Sequence, residues 1–541
     1  MKAIWRSGEV FVWLTASGVA ISLLMMTGLL GLIMVNGLGQ FWPQNIDELQ
    51  MKDGRRFIGE VMGREIVPGS ETRDHPEGQT RIRVRVGNRD TFGFDFKWVD
   101  EADVLTKLAS ADLVKIERRE WGPAYGRLVG LYDGPGAYRN QDQLWSVMQS
   151  TLARIDHDRR AIEDIEKEVG TLNHEIETLR LKRRALTLDG IMTSNESERD
   201  EEWKGRISTL EEMYQRHAAD LERLYKGMEQ FRIGLQLSDG REVHIPLSQI
   251  LTVSTTNTMT FGAKGLAYLQ NLWSFLSGEP REANTEGGIF PAIFGTVLMV
   301  FLMTIVVAPF GVLAAVYLRE YAKQGLLVRM VRVAVNNLAG VPSIVFGVFG
   351  LGCFIYAAGG TIDQLFFPEA LPNPTFGTGG ILWASLTLAL LTVPVVIVAT
   401  EEGLSSVPRE FREGSIGLGA TKFETLRHVI VPCALPGILT GLILAMARAA
   451  GEVAPLMLTG VVKLAPSLPL DAAFPFLHLD RKFMHLGFHI YDVGFQSPNV
   501  EAAKPMVYMT TLTLIVVVVT LNLVAVVVRN RLRKRFATSA V

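Results

Sequence analysis

The sequence predicts an α-helical integral membrane protein that carries a large polar domain between its first and second membrane helices. Three observations lead to this fold class. The chain of 541 residues is 48% hydrophobic and only 20% charged, its mean hydropathy is positive at +0.21, and its apolar residues are concentrated in long runs. A positive mean over so long a chain indicates that lipid is one of its solvents. The polar residues are concentrated in one stretch, from Gly39 to Gly288.

Six apolar runs are each long enough to cross about 30 Å of hydrocarbon, which takes about 20 helical residues. The first run could instead be a cleaved signal peptide, but it is long and lacks an A-x-A-like cleavage site, so an uncleaved helix is the preferred interpretation. The six predicted membrane helices are Phe11–Leu38, Ile289–Leu318, Val333–Ala358, Gly379–Thr400, Pro436–Val462 and Met506–Val528.

The orientation of the chain follows from the basic residues, which accumulate in cytoplasmic loops. They cluster after the second, fourth and sixth helices, whereas the loop after the third helix carries Asp363 and Glu369 and no basic residue. Both ends are therefore predicted to be cytoplasmic, with residues 39–288 outside as a large periplasmic loop. This divides the chain into residues 1–38, 39–288 and 289–541. The basic tail Arg529–Arg535 is expected to lie near anionic lipid headgroups.

The polar stretch predicts a β-rich domain. The segments RIRVRV and TFGFDF alternate in polarity on either side of Gly87–Asp90, and FRIGLQLSDGREVHIPL does so around Asp239–Gly240. Alternation on both sides of a short turn sequence is typical of β-hairpins. Each of these two segments is therefore expected to form a pair of antiparallel strands.

Between those segments the period changes from two to seven, which predicts an antiparallel coiled-coil hairpin over about residues 141–232. An arm of about 45 residues would project about 65 Å from the β-rich base. His217 occupies a seam position, where a residue that sets the register is the preferred interpretation over a metal ligand. The apolar seam positions are Met148, Ile155, Ile162, Val169 and Ile176 on the first arm, and Trp203, Ile207, Leu210, Tyr214, Leu221, Leu224 and Met228 on the second.

Several function classes are disfavoured. The 54 basic and 56 acidic residues give a net charge of −2, so no overall positive field indicates a nucleic-acid partner. Cys353 and Cys433 form neither a CxxC motif nor a disulfide framework. His485 and His489 have helical i,i+4 spacing, but no carboxylate lies between them, and the flanking aromatic residues favour a helix on the outer membrane surface. No metal site and no cofactor are predicted.

A coupling loop is predicted over residues 401–436. It combines two amphipathic helical patterns with a glycine between them, and Pro408 and Pro432 hold it in place. A short helix that ends at a glycine can sit in a groove of a soluble motor protein and transmit a rigid push. No GxxxxGK[ST] motif occurs in the chain, so the energy is expected to come from a partner subunit.

Two charged residues, Arg448 and Glu452, lie four positions apart in the predicted fifth membrane helix. Each ionisable group at membrane depth costs at least about 2.5–3.5 kcal/mol on insertion scales, so such groups usually face a partner or a pathway. One interpretation is an ion pair that hides both charges. The other is an arginine that shares its carboxylate with a passing oxyanion, since a guanidinium group binds oxyanions in bidentate fashion.

Three segments together carry a family resemblance: NLAGVPSIVFGVFG, VPREFREGSIGLGATKFETLRHVIVPCALPGILTG and ARAAGEVAPLMLTG. They resemble the permease subunit of phosphate-specific ABC importers, PstA type, from about Ile289 to the C-terminus. The resemblance implies a type I ABC importer permease fold in the bacterial cytoplasmic (inner) membrane. It also implies a homologous second permease of PstC type, cytoplasmic ATPase subunits of PstB type and a periplasmic phosphate-binding protein. The chain itself is then a transporter subunit and not an enzyme.

The same resemblance suggests roles for individual residues. Arg448 and Glu452 match the family's membrane-embedded charged pair, and Glu413 and Gly419 match its ATPase-coupling positions. Gly414 and Ser415 replace two alanines of the coupling motif, and Arg412 lies beside the motif glutamate.

The insertion of residues 39–288 departs from the family, whose members have a much shorter connection at this point. Its role stays open: docking of the binding protein, contact with the second permease, or reach toward the cell wall. Two alternatives to phosphate import also remain. One is a permease for another oxyanion, such as sulfate, molybdate or phosphonate; the other is a periplasmic tether or sensor that uses a permease-like scaffold.

Overall fold

The chain folds into a bundle of membrane helices joined to two β-sheets and a long pair of helices. The computed structural model describes residues 9–67, 79–133, 136–138, 141–188, 194–471, 474–497 and 500–537. Residues 1–8 of the predicted N-terminal segment lie outside this set. Within the described residues, six helices are long and apolar enough to cross a membrane: Phe11–Phe41, Phe290–Tyr321, Ser343–Phe366, Ile381–Ser405, Lys422–Gly451 and Ala502–Lys534. We refer to them as spans 1 to 6.

The first sheet follows span 1 and is antiparallel throughout, with the strand order β4-β3-β2-β1-β5. Leu49, Ile82 and Val84 are at most 5% exposed and lie in its core. Burial of each such side chain contributes about 1.5–3 kcal/mol. The strands are β1 (Ile46–Met51), β2 (Arg56–Ile66), β3 (Thr80–Arg85), β4 (Phe96–Asp100) and β5 (Val104–Leu108).

The second sheet has the order β10-β9-β7-β6-β11, with β8 paired to β7. Its strands β9 and β10 form the hairpin predicted around Asp239–Gly240: Glu242 pairs with Gln236, and Gly240 takes the positive φ of 85° that the turn requires. This prediction is confirmed. The strands are β6 (Leu113–Arg118), β7 (Ala124–Asp133), β8 (Gly136–Tyr138), β9 (Phe231–Gln236), β10 (Glu242–Pro246) and β11 (Ile250–Ser254).

The other predicted hairpin is wrong in its second strand. RIRVRV forms β3, but TFGFDF begins in a short helix, α2 (Arg89–Phe92), and β4 starts only at Phe96. The cause is local backbone geometry, because Gly87 and Asn88 have φ values of 60° and 51°, which end the extended chain. The buried Asn88 side chain holds this turn, since its Nδ2 donates to the carbonyl oxygen of Tyr125 at 3.0 Å.

Two long helices, α3 (Gln141–Leu188) and α4 (Ser194–Glu229), extend from the second sheet. They run antiparallel, as cross-helix pairs from Arg183–Asp200 to Glu166–Tyr225 indicate. Near the sheet the buried residues Met148, Ile155 and Ile162 join the sheet core. Farther out, a separate cluster joins the two helices through Leu172, Ile176, Leu179, Ile207 and Leu210. The connection over residues 189–193 lies outside the described residues.

Two membrane helices differ from their predicted limits. The run Val333–Ala358 is divided: an amphipathic helix, α7 (Leu326–Leu338), ends before Gly340 and Pro342, and span 3 starts at Ser343. A proline disfavours helical geometry in the residue before it, which explains the break. The fifth helix, α13 (Val431–Gly451), ends at Gly451 instead of Val462, and α14 (Ala454–Thr459) follows as a separate short helix.

The remaining helices complete the chain. The first membrane helix, α1 (Glu9–Leu38), is followed after β11 by α5 (Phe261–Ser277), then by β12 (Pro280–Arg281) and β13 (Glu286–Gly287). Besides α7, α13 and α14, the described part of the membrane core contains eight further helices. They are α6 (Phe290–Val316), α8 (Ser343–Phe349), α9 (Gly360–Phe366), α10 (Ile381–Ser405), α11 (Arg409–Gly417), α12 (Lys422–Thr425), α15 (Leu486–Tyr491) and α16 (Val500–Ala537).

The segment around His485 and His489 is helical, as predicted, over Leu486–Tyr491 and continues as a π-helix over Asp492–Gln496. The two imidazoles are buried, at 0% and 2% exposed. His485 caps this helix, because its Nδ1 accepts the N–H of Gly487 at 3.1 Å. Burial lowers the pKa of His485 to about 3 and that of His489 to about 4. Both side chains therefore belong to the packed interior, not to a membrane surface.

A short segment, Glu282–Asn284, joins the sheets to the membrane core. Its three residues all have positive φ, from 47° to 74°. This backbone conformation is unfavourable for residues other than glycine. The Glu282 carboxylate accepts hydrogen bonds from Arg89 at 2.7 Å and from the N–H of Trp121. The Asn284 amide donates to the Lys463 carbonyl oxygen at 3.1 Å and to Asp492 Oδ2 at 3.0 Å. These hydrogen bonds account for the retention of an unfavourable backbone.

Candidate functional site

Arg448 and Glu452 lie together at the end of span 5. Arg448 is in the last turn of α13, and its Nε lies 3.5 Å from Glu452 Oε1. Glu452 is not inside the helix, as the sequence suggested, but is the first residue beyond it, with φ −79° and ψ 138°. A cation in the last helical turn is favoured by the helix dipole. The two side chains are 31% and 20% exposed, so the pair is accessible and not sealed in the core.

The approach of the two charged groups is long, and Arg448 and Glu452 form no hydrogen bond with each other. Among the residues that the structure describes, the guanidinium Nη1 and Nη2 of Arg448 have no acceptor. An arginine with two free N–H faces can bind an oxyanion in bidentate fashion while its Nε stays near the carboxylate. The geometry therefore supports the second of the two interpretations, in which Arg448 has donors left for a solute.

Small residues set the position of α13. A Cβ added to Gly437 would lie 2.7 Å from the Cα of Gly403, and one added to Gly441 would lie 2.5 Å from the Cβ of Ala399. Spans 4 and 5 thus approach so closely that only glycine fits at positions 437 and 441. This close packing fixes the helix whose last turn carries Arg448.

The two other motif segments also meet. Span 3 begins with α8 in the AGVPS segment, and α14 lies in the segment that contains Arg448. A Cβ added to Gly347 would lie 2.7 Å from the Cα of Pro455, so α8 packs directly on α14. A Cβ on Gly350 would come within 3.0 Å of Thr459 Cγ2. Two of the three segments that carry the family resemblance therefore pack against each other beside the end of span 5.

The predicted coupling loop forms two short helices. After Pro408, α11 covers the motif residues Glu413 to Ser415 and ends before Gly419, which has φ 90°. Thr421 then starts α12 with a capping box, in which its side chain and that of Glu424 bond each other's backbone N–H. Ser415 Oγ lies 2.9 Å from Thr425 Oγ1 and links the two helices.

Arg412 anchors this loop to the membrane helices. Its Nη1 pairs with Glu320 Oε1 at 2.9 Å, and its Nη2 donates to the Leu404 carbonyl oxygen at 2.7 Å. Glu320 lies in the last turn of span 2 and Leu404 in the last turn of span 4, so one guanidinium group holds the loop against two membrane helices. A second ion pair lies in the same region, with Arg332 Nε 3.1 Å from Glu401 Oε1.

The surface of the coupling loop around Glu413 is exposed, and we call it the open face of the loop. Glu413 is exposed and has no ion pair or hydrogen bond to any residue that the structure describes, and no atom lies within 4 Å of a Cβ added to Gly414. Apolar side chains surround them: Phe411, Ile416, Leu418 and Phe423 are 45%, 56%, 91% and 60% exposed. An exposed apolar patch with a free carboxylate is typical of a surface that binds another protein.

Sequence reasoning missed the partners of these residues. Glu320, Arg332 and Glu401 hold the loop in place, and Asn284 and Asp492 hold the segment Glu282–Asn284 at the end of the core next to the sheets. Each lies far in sequence from its partner and belongs to no recognisable motif. An unusual acidic or basic residue at the end of an apolar run was the only signal available.

Six apolar helices, with a charged pair at one helix end and an anchored loop that exposes an open face, define the class of a multi-pass ABC transporter permease. Residues 307–537 match the family described as binding-protein-dependent transport system inner membrane component. The chain is 30% identical over 233 residues to the probable ABC transporter permease protein YqgH of Bacillus subtilis, covering 41% of this chain and 71% of that protein. It is 35% identical over 244 residues to the phosphate transport system permease protein PstA 1 of Mycobacterium tuberculosis, covering 45% and 71%.

The chain belongs to this family of transporter inner membrane components. Among solved structures it matches an inward-facing MetNI methionine ABC transporter chain, with 18% identity, a TM-score of 0.31, and coverage of 45% of this chain and 94% of that one. The family match covers residues 307–537 of the membrane core and does not include residues 39–288.

Proposed function

We propose that this chain is the permease subunit of an ATP-driven importer of inorganic phosphate. The observation that supports this most directly is the similarity of the membrane core to phosphate permeases, such as the PstA 1 protein of Mycobacterium tuberculosis, at 35% identity. Arg448 lies in the matched region and has guanidinium N–H groups available for an oxyanion. The relatives favour phosphate over sulfate, molybdate or phosphonate as the solute.

In this proposal the open face of the coupling loop binds the ATPase. Glu413 and the surrounding apolar side chains dock in a groove of the motor subunit, Gly414 and Ser415 allow close approach, and Gly419 ends the docked helix. Arg412 then passes the movement to spans 2 and 4 through Glu320 and Leu404. The spans switch between inward-facing and outward-facing states, and phosphate passes Arg448 with Glu452 as its electrostatic partner.

The proposed partners are a second permease of PstC type, ATPase subunits of PstB type and a periplasmic phosphate-binding protein. The chain is placed in the bacterial inner membrane with both ends cytoplasmic. Residues 39–288 then form a periplasmic domain, in which α3 and α4 act as a coiled-coil hairpin, and residues 289–541 form the permease core.

Uptake of radiolabelled phosphate tests the proposal, in cells that lack their own importer and express this chain with its partner subunits. Loss of a charge-assisted hydrogen bond costs about 1.5–3 kcal/mol, so we expect Arg448→Ala to lower uptake about tenfold or more. Arg448→Lys keeps the charge without the bidentate donors and is expected to fall between wild type and Arg448→Ala. Excess unlabelled phosphate should compete, and excess sulfate or molybdate should not.

Glu413→Ala tests the coupling surface against a matched control, Glu410→Ala, which removes an equally exposed carboxylate from the same helix. We expect Glu413→Ala to abolish uptake while the protein still reaches the membrane, and Glu410→Ala to retain it. Normal uptake in both Arg448→Ala and Glu413→Ala cells would overturn the importer proposal. Uptake that sulfate competes away would overturn the choice of phosphate.

A further inference from the structure

Helix α5 (Phe261–Ser277) packs one apolar side on the protein through Phe275 and exposes a second apolar face. Its large apolar side chains Leu266, Leu269 and Trp273 are 61%, 61% and 70% exposed. These positions follow the i, i+3, i+7 spacing of one helical face. The helix is 17 residues long and carries only one charged residue, Lys264.

Polar side chains of the same helix lie beside its exposed apolar face and border a cavity of the protein. Gln270, Asn271 and Ser274 line a cavity of about 410 Å³ between the sheets and the membrane helices. Asn271 Nδ2 also donates to the Phe41 carbonyl oxygen at 3.3 Å. On the far side of this cavity lie charged groups of the sheets, including Arg85, Glu60 and Lys115. Phe275, Leu272 and Leu276 of α5 pack against the membrane core, whereas the neighbouring apolar face formed by Leu266, Leu269 and Trp273 is left uncovered.

The position of α5 is fixed at the end of span 1, which covers Phe11–Phe41. The Phe41 ring lies 5.3 Å from that of Phe275, and the Trp42 ring lies 5.3 Å from that of Phe261. Tyr268 is 6.2 Å from Trp42. Aromatic side chains of this kind are enriched where membrane helices leave the hydrocarbon and enter the headgroup region.

We propose that α5 lies in the interface of the lipid bilayer, with Leu266, Leu269 and Trp273 inserted among the lipids of the leaflet next to the sheets. Continuity with span 1 supports a bilayer as the occupant, since the side chains of that span are as exposed as those of α5, including Val35 at 73%. Amphipathic helices bind this region with their apolar face about 5–10 Å into the headgroup and acyl boundary. At about 25 Å in length, α5 gives the inserted domain an anchor beside span 1.

This anchor does not depend on the transported solute. It holds the sheets at the membrane surface, so that the cavity behind α5 lies at the level of the lipid headgroups. The hairpin α3–α4 then starts from a base that is fixed to the bilayer at span 1, α5 and span 2.

Spin labels on exposed positions test the proposal in the full-length chain. Cys353 and Cys433 are free and are first replaced by alanine; single cysteines are then introduced as Leu269→Cys and Trp273→Cys. Leu105→Cys on β5 is the matched control, because Leu105 is equally apolar and 60% exposed. The nitroxide-labelled proteins are reconstituted in vesicles of phosphatidylethanolamine and phosphatidylglycerol, and collisions with oxygen and with a water-soluble nickel chelate are measured.

We expect labels at 269 and 273 to collide with oxygen at least several times more than with the nickel chelate, and the label at 105 to show the reverse. Equal accessibility to the chelate at 105, 269 and 273 would overturn the proposal. Strong immobilisation at 269 and 273, with little access for either reagent, would also overturn it, because a protein surface would then cover α5. All three substitutions replace exposed side chains, so folding of the labelled proteins is checked by elution as one species.

Discussion

The membrane core and the inserted domain are stabilised by different interactions. In the core, small residues bring backbones into direct contact, as at Gly437 and Gly403 or Gly347 and Pro455. In the insertion, two sheets bury ordinary apolar side chains, and the hairpin carries many exposed ion pairs, such as Arg180–Glu211, with both side chains at least half exposed. Exposed pairs contribute little, about 0–1 kcal/mol. The core should therefore respond strongly to added volume, whereas the hairpin should tolerate changes of surface charge.

The largest effect is expected for added volume between spans 4 and 5. Gly441→Leu would force side-chain atoms into Ala399, and neither helix can yield without moving the backbone. Overpacking costs about 1–3 kcal/mol and more where backbone must shift. We expect the variant to lose its compact state in detergent, measured by size-exclusion elution and an apparent Tm well below wild type.

The matched control is Gly352→Leu, another glycine in a membrane span, where no atom lies within 4 Å of an added Cβ. We expect this variant to elute and melt as wild type. A Gly441→Leu protein as stable as Gly352→Leu would contradict the account of the core as a closely packed unit. Equal loss in both variants would show that glycine is required throughout the spans, whatever the local packing.

A smaller effect is expected at the segment that joins the two regions. Asn284→Leu removes the amide that bonds Asp492 and the Lys463 carbonyl, and it puts a branched apolar residue where φ is 74°. Loss of one partner of a buried polar group costs about 1–3 kcal/mol. We expect an apparent Tm several degrees lower, with faster proteolysis at the junction but with the sheets intact.

Asn337→Leu serves as the control, since Asn337 is an exposed asparagine on α7. It should leave both Tm and proteolysis unchanged. If Asn284→Leu behaves in the same way, the segment Glu282–Asn284 is a passive connection, and the insertion and the core are independent units. Lower uptake together with normal Tm in Asn284→Leu would instead show that the junction matters for transport and not for stability.

The sequence predicted elements where one local pattern decided the structure. The β9–β10 hairpin followed from alternation around Asp239–Gly240, and the membrane helices followed from apolar length. The predictions were wrong where a few backbone angles overrode the pattern, as at Gly87 and Asn88, or where Pro342 divided an apolar run. Single residues cause both interruptions of secondary structure, and they lie in segments whose other residues fit one regular polar–apolar pattern.

The candidate site was predictable in its motif residues but not in its supports. Arg448 was predicted from its charge inside an apolar run, and Glu413 and Gly419 from a family resemblance, which carries information about residues and none about contacts. The anchoring role of Arg412 required the position of Glu320, which is remote in sequence. The charge of Glu452 was correctly noted, but its place beyond the helix end depends on how α13 stops at Gly451.

The smallest expected effect is a pH dependence of stability, which distinguishes the membrane core from the inserted domain. Burial lowers the pKa of His485 to about 3 and that of His489 to about 4, below the ordinary value of 6.5. In the unfolded chain both imidazoles take up a proton below pH 6.5, whereas in the folded core they stay neutral, so acid favours unfolding. Their contribution is complete above pH 6.5 and is lost progressively as the pH falls toward 4 and 3.

Between pH 7.5 and 5.5 each histidine lowers the free energy of unfolding by about 1.4 kcal/mol. The lower pH lies one unit below the pKa of 6.5 in the unfolded chain, and one unit corresponds to about 1.4 kcal/mol. We therefore expect the apparent Tm of the whole chain to fall over this interval and the fall to shrink by about half in His489→Gln. His217→Gln, on the quarter-exposed seam of the hairpin, should leave the pH dependence as in wild type. A His489→Gln protein with the full wild-type slope would show that acid acts first on the insertion and not on the packed outer end of the core.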